Sequence, residues 1–391
     1  MLFSLFFSLL CLLAAAPCAC AQPTLMSRQT TDYFMTASAL FLYDEEGGEQ
    51  RFSETWALVK QTLAEVESAV SVSDPESDIA RFNALSCGEE IEISPITTEI
   101  LQIAKDVHAL SGGLYDPTVF PLVDLWGFSP RFNRNAYRPV FPYDRAYENG
   151  SLPLPDRRHV EALLPLVGLD GIALREENGA FFLKKNIPAV GIDGVTVQAQ
   201  LDLGGIAKGY ACDRVLTLLR ERGYTMGHFV CGGSSMALLS HPSGDYALTL
   251  RKPRAGQGST SHYAIIPASN VTLSTSSDTS HSILRDGVVY CHIIDPRTGY
   301  PINMPDENGV QRGIASATLL CKSAAYGDAL TTVLCILGER EAPAFLARHS
   351  IGRAVLAVYQ SDLDTLDVLT NAADELTLSD SAYCLLPIPS P

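Results

Sequence analysis

A glycine-rich segment between an apolar run and a helical pattern constrains this chain more than any other feature. It spans residues 201–213 and reads Leu-Asp-Leu-Gly-Gly-Ile-Ala-Lys-Gly-Tyr-Ala-Cys-Asp. Its glycine pair lets the backbone approach a ligand closely, and the first N–H groups of the following helix can donate to an anion. Lys208 adds a positive charge, so the segment suits a metal-bound phosphate. The alternative is a tight strand-to-helix turn with a solvated lysine, because the Gly-Lys-Ser/Thr order of a Walker A loop is absent.

Composition and charge restrict the class of protein. The 391 residues are 47% hydrophobic and 18% charged, which is typical of a globular enzyme and sufficient for one large domain or two to three ordinary ones. The 28 basic and 44 acidic residues give a net charge of -16, which argues against nucleic acid as a partner. An anionic substrate would therefore need a divalent cation or a few well-placed Lys and Arg side chains.

The first residues predict an export signal at 1–21. An apolar run from Leu2 to Ala16 precedes Ala19-Cys20-Ala21, which is an acceptable cleavage site. No Lys or Arg precedes the run, and the run is too short for a comfortable membrane span. Cys18 or Cys20 could instead carry a lipid. We expect an exported protein, in the periplasm or on the outer face of the cytoplasmic membrane, either free or lipid-anchored.

The cysteines after this leader do not indicate a disulfide framework or a zinc site. Their number is odd and no Cys-x-x-Cys pair occurs, so buried thiols are the expectation for Cys87, Cys212, Cys231, Cys291, Cys321, Cys335 and Cys384.

Two amphipathic helices are predicted in the first third of the chain. Apolar residues recur at three- and four-residue steps over 54–70 and again over 96–110. Ser94 is the expected N-cap of the second helix, and Gly112 stands just past its end. The segment from Ser129 to Pro155 is rich in Pro, Asn, Arg and Tyr and predicts a long surface loop.

The second half of the chain mixes helices and strands. A helix is predicted from Lys208 to Arg222, and another from Ser323 to Leu337 with Gly338 as its stop. A short helix is expected near 341–349. Asp286-Gly287 lies between two apolar runs, which is the strongest local signal for a hairpin. Strands are predicted at 228–231, 246–250, 263–266, 271–275, 314–320 and 354–359. Because helices and strands do not alternate strictly, the predicted fold class is α+β.

One helix face carries a candidate metal site. Asp328 and Thr332 are four residues apart, so their oxygens lie on one face of the predicted helix and can meet one ion. Such hard oxygen donors suit Mg²⁺ or Ca²⁺ better than zinc. The alternative is structural, with the threonine bonded to its own backbone and the aspartate interacting with the helix dipole.

Two further segments contain candidate ligand-binding residues. His292 ends a strand before the turn Asp-Pro-Arg-Thr-Gly, so it could act as a general base beside an anion site, or it could be a structural histidine. Tyr115 follows the glycine pair of 111–118 and could stack on a flat ring or belong to the core.

Six segments in this order resemble those of the ApbE family of FAD:protein FMN transferases. The resemblance covers nearly the whole chain after the leader, at 76–83, 111–118, 122–128, 202–211, 292–301 and 325–332. It implies a single large α+β domain over residues 22–391, with mostly antiparallel strands, packed helices and a surface-loop insertion at about 129–155. It also implies a Mg²⁺-dependent enzyme that takes FAD as substrate, attaches FMN through a phosphoester to a Ser or Thr of another protein and releases AMP.

The resemblance also implies roles for individual residues. Asp328 and Thr332 would bind the metal together with the backbone carbonyl of Gly205, and Asp328 is counted as catalytic with His292, the candidate base. FAD contacts would come from Met35, Tyr115, Asp116, Asp202, Lys208 and Ile293. The implied partner is an exported or membrane-bound redox protein with a Ser/Thr-Gly-Ala-Ser/Thr acceptor sequence, which this chain lacks. The alternatives are an FAD pyrophosphatase that yields FMN and AMP, or an exported FAD-binding protein without catalysis.

This chain departs from the family pattern around the flavin. Ser73 stands where an aromatic residue often covers the ring, and Ser234 follows the second glycine pair in place of an acidic or amide residue. Tyr33 or Phe34 could cover the ring instead.

Overall fold

The computed structural model describes residues 23–44, 48–129, 154–255, 261–278, 282–285, 288–307, 309–359 and 365–389. The predicted leader lies outside the described residues, as do most of the predicted loop at 129–155 and the Asp286-Gly287 turn.

The described residues form seven α-helices. They are α1 (Glu49–Val70), α2 (Asp78–Asn83), α3 (Pro95–Ser111), α4 (Phe120–Trp126), α5 (Arg157–Leu163), α6 (Gly204–Glu221) and α7 (Ala324–Arg348). Within the described part of the chain, no helix combines the length and apolar character needed to cross a membrane.

Nineteen strands lie in the same residues. They are β1 (Thr24–Tyr33), β2 (Thr36–Asp44), β3 (Glu90–Ile93), β4 (Ile172–Glu177), β5 (Ala180–Lys185), β6 (Val190–Ile192), β7 (Val195–Val197), β8 (Gly227–Cys231), β9 (Ser235–Leu238), β10 (Tyr246–Arg251), β11 (His262–Ala268), β12 (Thr272–Ser277), β13 (Ser282–Arg285), β14 (Val288–Cys291), β15 (Ile314–Cys321), β16 (Arg353–Tyr359), β17 (Leu366–Thr370), β18 (Thr377–Leu378) and β19 (Cys384–Pro387).

A nine-stranded sheet organises the molecule. Its strand order is β1-β2-β8-β9-β12-β15-β16-β17-β19, and every neighbouring pair is antiparallel except β17 and β19. Smaller sheets are β10-β11-β18, β3-β5-β4 and the hairpins β6-β7 and β13-β14. The predicted α+β class with mostly antiparallel strands is therefore confirmed.

Both faces of the large sheet are covered. Successive residues of β16 alternate between two separate hydrophobic cores, with Leu356 in one and Val355 and Ala357 in the other. On the first face α6 and α7 pack against β8, β9, β12 and β15. Residues of β10 and β11 belong to the core on the second face. Burial on both sides explains why β16 is a continuous apolar run without polar alternation.

Local sequence signals place most helix ends correctly. Ser94 Oγ accepts a hydrogen bond from Thr97 N at 3.2 Å and Gly112 adopts a left-handed φ of 65°, so both predicted ends of α3 are confirmed. Gly338 has a φ of 69° and interrupts α7 where its stop was predicted. The predicted start of α1 at residue 54 is wrong by several residues, because Phe52 in the first turns of the helix is also fully buried.

The start of α6 also differs from the prediction. The helix begins at Gly204 and not at Lys208, because Ala207 N already donates to Leu203 O at 3.0 Å. Asp202 Oδ1 accepts a hydrogen bond from Gly204 N at 2.8 Å and satisfies an N–H that has no acceptor within the helix. The glycine pair consequently forms the first turn of the helix.

Candidate functional site

The site is built where α6 and α7 come closest together. A Cβ atom at Gly209 would lie 2.1 Å from the carbonyl oxygen of Ala324, so only glycine allows this approach. The two helices can therefore place backbone atoms of one beside side chains of the other.

This approach brings Asp328 of α7 to the first turns of α6. Asp328 Oδ2 accepts a hydrogen bond from Gly209 N at 3.2 Å. In an α-helix that N–H also points at the carbonyl of the residue four positions earlier, which is Gly205. The carboxylate and the Gly205 carbonyl therefore lie near one N–H group and close to each other. Two of the three predicted metal ligands are thus brought together.

Thr332, the third predicted ligand, lies one turn further along α7. Its Oγ1 donates to Asp328 O at 3.4 Å, which is the backbone contact expected of a helical threonine. Ser276, at the end of β12, lies 3.4 Å from Thr332 Oγ1 and 2.8 Å from Thr331 Oγ1 through its own Oγ. The end of β12 therefore borders the same helix face, a contact that the sequence did not reveal.

The electrostatics of Asp328 favour a bound cation. The side chain is 5% exposed, and this burial raises its pKa. The positive charge of Lys208 and the N–H of Gly209 oppose that increase and favour the ionised form. Lys208 itself donates from Nζ to Gly204 O at 2.9 Å, which holds the ammonium group at the start of α6. A buried carboxylate of this kind gains from a further positive charge.

Tyr115 and Asp202 belong to the same cluster. A Cβ at Gly205 would lie 3.3 Å from the Tyr115 hydroxyl, so the absence of a side chain makes room for this ring. Burial raises the pKa of Tyr115 well above its usual value, and the negative charges of Asp328, Asp202 and Asp116 add to the increase. The hydroxyl therefore remains protonated and can donate a hydrogen bond.

Asp116 is engaged in local structure. Its Oδ1 accepts hydrogen bonds from both Thr118 N and Thr118 Oγ1, and its Oδ2 accepts one from Leu169 N at 3.0 Å. This carboxylate fixes the turn that follows Tyr115. The predicted contact of Asp116 with FAD stays a prediction.

Met35 lies at the tip of the β1-β2 hairpin. Phe34 and Met35 have left-handed φ values of 54° and 50°, which are unfavourable for side chains of this size. Glu67 Oε1 accepts a hydrogen bond from Phe34 N at 2.7 Å and secures the turn. Met35 is 77% exposed, so it is available for contact with a ligand or another protein.

The neighbouring glycine pair connects this hairpin to Lys208. A Cβ at Gly232 would lie 3.1 Å from Thr36 and 3.2 Å from the Lys208 side chain. The next residue but one, Ser234, has a buried Oγ without a hydrogen-bond partner in the described parts of the chain. The hairpin, this glycine turn and the start of α6 therefore meet at Lys208.

His292 and Ile293 follow β14, which approaches α7 beyond Thr332. Cys291 at the end of β14 and Cys335 of α7 are buried in the same hydrophobic core. Trp126 Nε1 donates to Gly299 O at 2.9 Å and anchors the turn after His292. His292 is half-buried and Ile293 is buried. Their predicted roles as base and as FAD contact stay predictions.

Two residues that support the site were not identified from the sequence. Asn83 bonds both backbone groups of Leu201, accepting from its N at 2.7 Å and donating to its O at 2.9 Å. It therefore holds the irregular segment that leads into Asp202. Lys185 is fully buried and donates to Leu85 O at 2.6 Å, which secures the end of α2 behind Asn83. In the sequence, residues 76–83 are distinguished only by their resemblance to the corresponding family segment.

The donors fit a hard cation. The described residues contain no group of three or more His, Cys, Asp or Glu side chains that could hold a metal. A site here would combine one buried carboxylate, a hydroxyl and a backbone carbonyl, which are all oxygen ligands of the kind that Mg²⁺ accepts alongside water and phosphate oxygens. The buried Asp328 carboxylate beside Gly205 is consistent with this set.

The fold and the site define a class of α+β protein in which a glycine-rich helix start lies against a buried carboxylate on the neighbouring helix. A sequence model of the ApbE family matches residues 32–356, and the chain belongs to this family.

Named relatives and a solved structure agree with this assignment. The chain is 28% identical over 305 residues to the FAD:protein FMN transferase of Vibrio cholerae, covering 78% of this chain and 79% of the relative. It is 27% identical over 338 residues to that of Haemophilus influenzae, covering 86% and 87%. The crystal structure of the Pseudomonas stutzeri flavinyl transferase ApbE has the same fold, with a TM-score of 0.67 and 23% identity over 87% of this chain and 92% of the other.

Proposed function

We propose that this chain is an FAD:protein FMN transferase that depends on Mg²⁺. In the proposed reaction a Ser or Thr hydroxyl of an acceptor protein attacks the FMN phosphorus of FAD. A new phosphorus–oxygen bond forms to the acceptor, the pyrophosphate bond breaks, and AMP leaves. Membership of the ApbE family and the activity named for its relatives support this function. The structural observation that carries it is the Gly209–Asp328 hydrogen bond, which brings Asp328 and Gly205 together.

In this proposal the helix pair binds the diphosphate. Asp328, Thr332 and the carbonyl of Gly205 hold Mg²⁺, which when bound neutralises charge on the phosphate oxygens. Lys208 supplies a second positive charge at the start of α6. Local positive charge of this kind is needed because the chain as a whole carries a net charge of -16.

The remaining predicted residues orient the reactants. Tyr115 remains protonated beside Gly205 and donates a hydrogen bond to FAD, while Asp202 accepts a hydrogen bond from the Gly204 N–H at the start of α6. Met35, at the exposed hairpin tip, contacts the flavin together with Ile293, and Asp116 holds the Tyr115 turn in place. His292 accepts the proton of the attacking hydroxyl.

The proposed acceptor is an exported or membrane-bound redox protein. It carries the Ser/Thr-Gly-Ala-Ser/Thr sequence, and this chain meets it in the periplasm or at the outer face of the cytoplasmic membrane. The apolar leader supports export, and Cys18 and Cys20 are the residues that a lipid would modify. Cell fractionation of the tagged chain, compared with a variant in which both cysteines are serine, distinguishes a soluble product from a lipid-anchored one.

One reconstitution tests the activity. The purified chain is mixed with FAD, Mg²⁺ and an acceptor protein that carries the expected sequence, and flavin fluorescence is measured on the denatured acceptor. We expect covalent fluorescence and one AMP per flavin attached. An acceptor whose target Ser or Thr is replaced by Ala is the matched control. Free FMN and AMP without labelling would instead identify a pyrophosphatase, and unchanged FAD would identify a binding protein.

A further inference from the structure

A carboxylate from α6 caps the beginning of α7. Asp213 Oδ1 accepts a hydrogen bond from Ala324 N at 2.7 Å, and its Oδ2 accepts hydrogen bonds from Ala325 N at 3.0 Å and Ser323 Oγ at 2.6 Å. The first N–H groups of a helix have no acceptor within that helix, and an anion there is favoured by the helix dipole. The cap that Ser323 supplies to its own helix is weaker, since its Oγ lies 3.4 Å from Tyr326 N. The start of α7 is therefore held mainly by the other helix.

The contacts between the two helices follow one register. Asp213 contacts Ala324, and one turn away on each helix Gly209 contacts Asp328. Since the numbers rise on one helix as they fall on the other, the helices are antiparallel here. In this antiparallel arrangement the next turn of α6 carries Gly205 and the next turn of α7 carries Thr332. The register of the two helices thus sets how the three proposed cation ligands face one another.

We infer that Asp213 is a positioning residue that fixes the register of α6 against α7 and thereby aligns Asp328 and Thr332 with the carbonyl of Gly205. This inference rests on the proposed function, because the aligned atoms are the proposed Mg²⁺ ligands. Mg²⁺ demands near-ideal geometry at about 2.1 Å. A shift of α7 by a single residue along its axis, about 1.5 Å, would therefore separate the ligands.

Gly209 allows the two helices to approach closely because it has no side chain. Its N–H donates to Asp328, which is one directional contact between the helices at this turn. Asp213 adds directional contacts one turn away, because it accepts hydrogen bonds from two successive N–H groups of α7 and so opposes a shift along the helix axis. Asp213 itself lies outside the proposed ligand set, and its removal leaves every ligand atom in the chain.

The test compares two substitutions at the same helix end. Asp213→Asn keeps the size of the side chain but removes the charge and one acceptor oxygen. Ser323→Ala removes the weaker cap of α7 and the hydrogen bond from Ser323 Oγ to Asp213, and it leaves the hydrogen bonds that Asp213 accepts from Ala324 N and Ala325 N. Mn²⁺ binding in the presence of FAD is followed by electron paramagnetic resonance, FAD binding without metal by fluorescence, and folding by thermal denaturation.

We expect Asp213→Asn to weaken Mn²⁺ binding about tenfold or more, as is usual when a residue that orients metal ligands is lost. In Asp213→Asn the affinity for FAD without metal should change less than about twofold. The Ser323→Ala variant should lose a similar amount of thermal stability, but its affinity for Mn²⁺ should stay within about threefold of that of the unchanged chain. Asp213→Glu keeps the anion but lengthens the side chain, and it should also weaken Mn²⁺ binding. It serves as the test if Asp213→Asn does not fold.

Three results would overturn the inference. Unchanged Mn²⁺ binding by the folded Asp213 variants would show that the register does not depend on this residue. An equal loss of Mn²⁺ affinity in the Ser323→Ala variant would show that any damage to the start of α7 has the same effect. If the unchanged chain with FAD bound no Mn²⁺, the proposed function and this inference would fail together, whereas the first two results leave the proposed function intact.

Discussion

Gly209 N donates a hydrogen bond to Asp328 Oδ2 at 3.2 Å across the closest approach of two helices. The donor belongs to the same turn as Gly205 and Lys208, and the acceptor belongs to the same turn as Thr332. One hydrogen bond thus joins residues 119 positions apart and unites the glycine-rich segment with the aspartate–threonine face. Neither segment alone could bind a cation bridged to a diphosphate.

The first prediction concerns the charge of Asp328. Asp328→Asn should reduce Mg²⁺-dependent transfer by about 100-fold or more, because it removes the only charged ligand of the proposed site. The same change should leave the metal-free protein equally stable or more stable, since it removes a buried carboxylate. Transfer rates and thermal denaturation measure the two effects. Glu221→Gln, at the exposed end of α6, is the control, and retained transfer in Asp328→Asn would exclude this carboxylate from the mechanism.

The second prediction concerns the contact between the helices. Gly209→Ala should destabilise the protein by about 1–3 kcal/mol, because its Cβ would overlap the Ala324 carbonyl. It should also abolish Mn²⁺ binding in the presence of FAD, since the helices must separate. Gly191→Ala is the matched control, because no atom lies within 4 Å of a Cβ at that position. Urea denaturation gives the free energy of unfolding. Similar values for both variants would contradict a close helix contact.

The third prediction separates catalysis from binding at His292. His292→Ala should lower kcat for transfer by about 100-fold while the Kd for FAD changes little, because loss of a general base affects proton transfer. Single-turnover labelling of the acceptor and fluorescence titration with FAD measure the two quantities. His159→Ala serves as a control outside the proposed site. Equal losses of FAD affinity and rate would identify His292 as a structural residue.

The fourth prediction concerns stability at acidic pH. Burial lowers the pKa of His228 to about 4, and the charge of His241 adds to the decrease. Between pH 4 and its usual pKa of about 6.5, the unfolded state binds the proton that the folded state excludes. Stability from this residue is therefore complete above about pH 6.5 and is lost as the pH falls toward 4, with uptake of about one proton on unfolding.

The measurement is the free energy of unfolding at several pH values, compared between the unchanged chain and His228→Gln. The ring of His228 stacks on Phe41 at 4.6 Å and lies near Tyr246, so the substitution should destabilise the protein moderately at neutral pH. Between pH 6.5 and 4, the free energy of unfolding of His228→Gln should change less steeply with pH than that of the unchanged chain. Identical slopes would show that His228 does not titrate in the manner expected from its burial.

Local features of the fold followed from the sequence. Ser94 and Gly112 bound α3, Gly338 interrupts α7, and β13 and β14 pair on either side of Asp286-Gly287, as predicted. Each of these depends on interactions within a few residues, namely a side-chain cap, a left-handed glycine or a short turn. The predicted starts of α1 and α6 are wrong. The start of α1 depends on burial of Phe52, and the start of α6 depends on the hydrogen bond that Asp202 accepts from Gly204 N.

The sequence by itself determined which residues could supply oxygen ligands and positive charge, because residue type and helical spacing fix that chemistry. Only the tertiary structure decided that Asp328 meets Gly209, 119 residues away, and that Asp213 holds the start of α7, 110 residues away. It also assigned Asn83 to the backbone of Leu201, 118 residues away. These contacts arise because both helices pack on one face of a sheet whose neighbouring strands are distant in sequence, so no local pattern encodes their register.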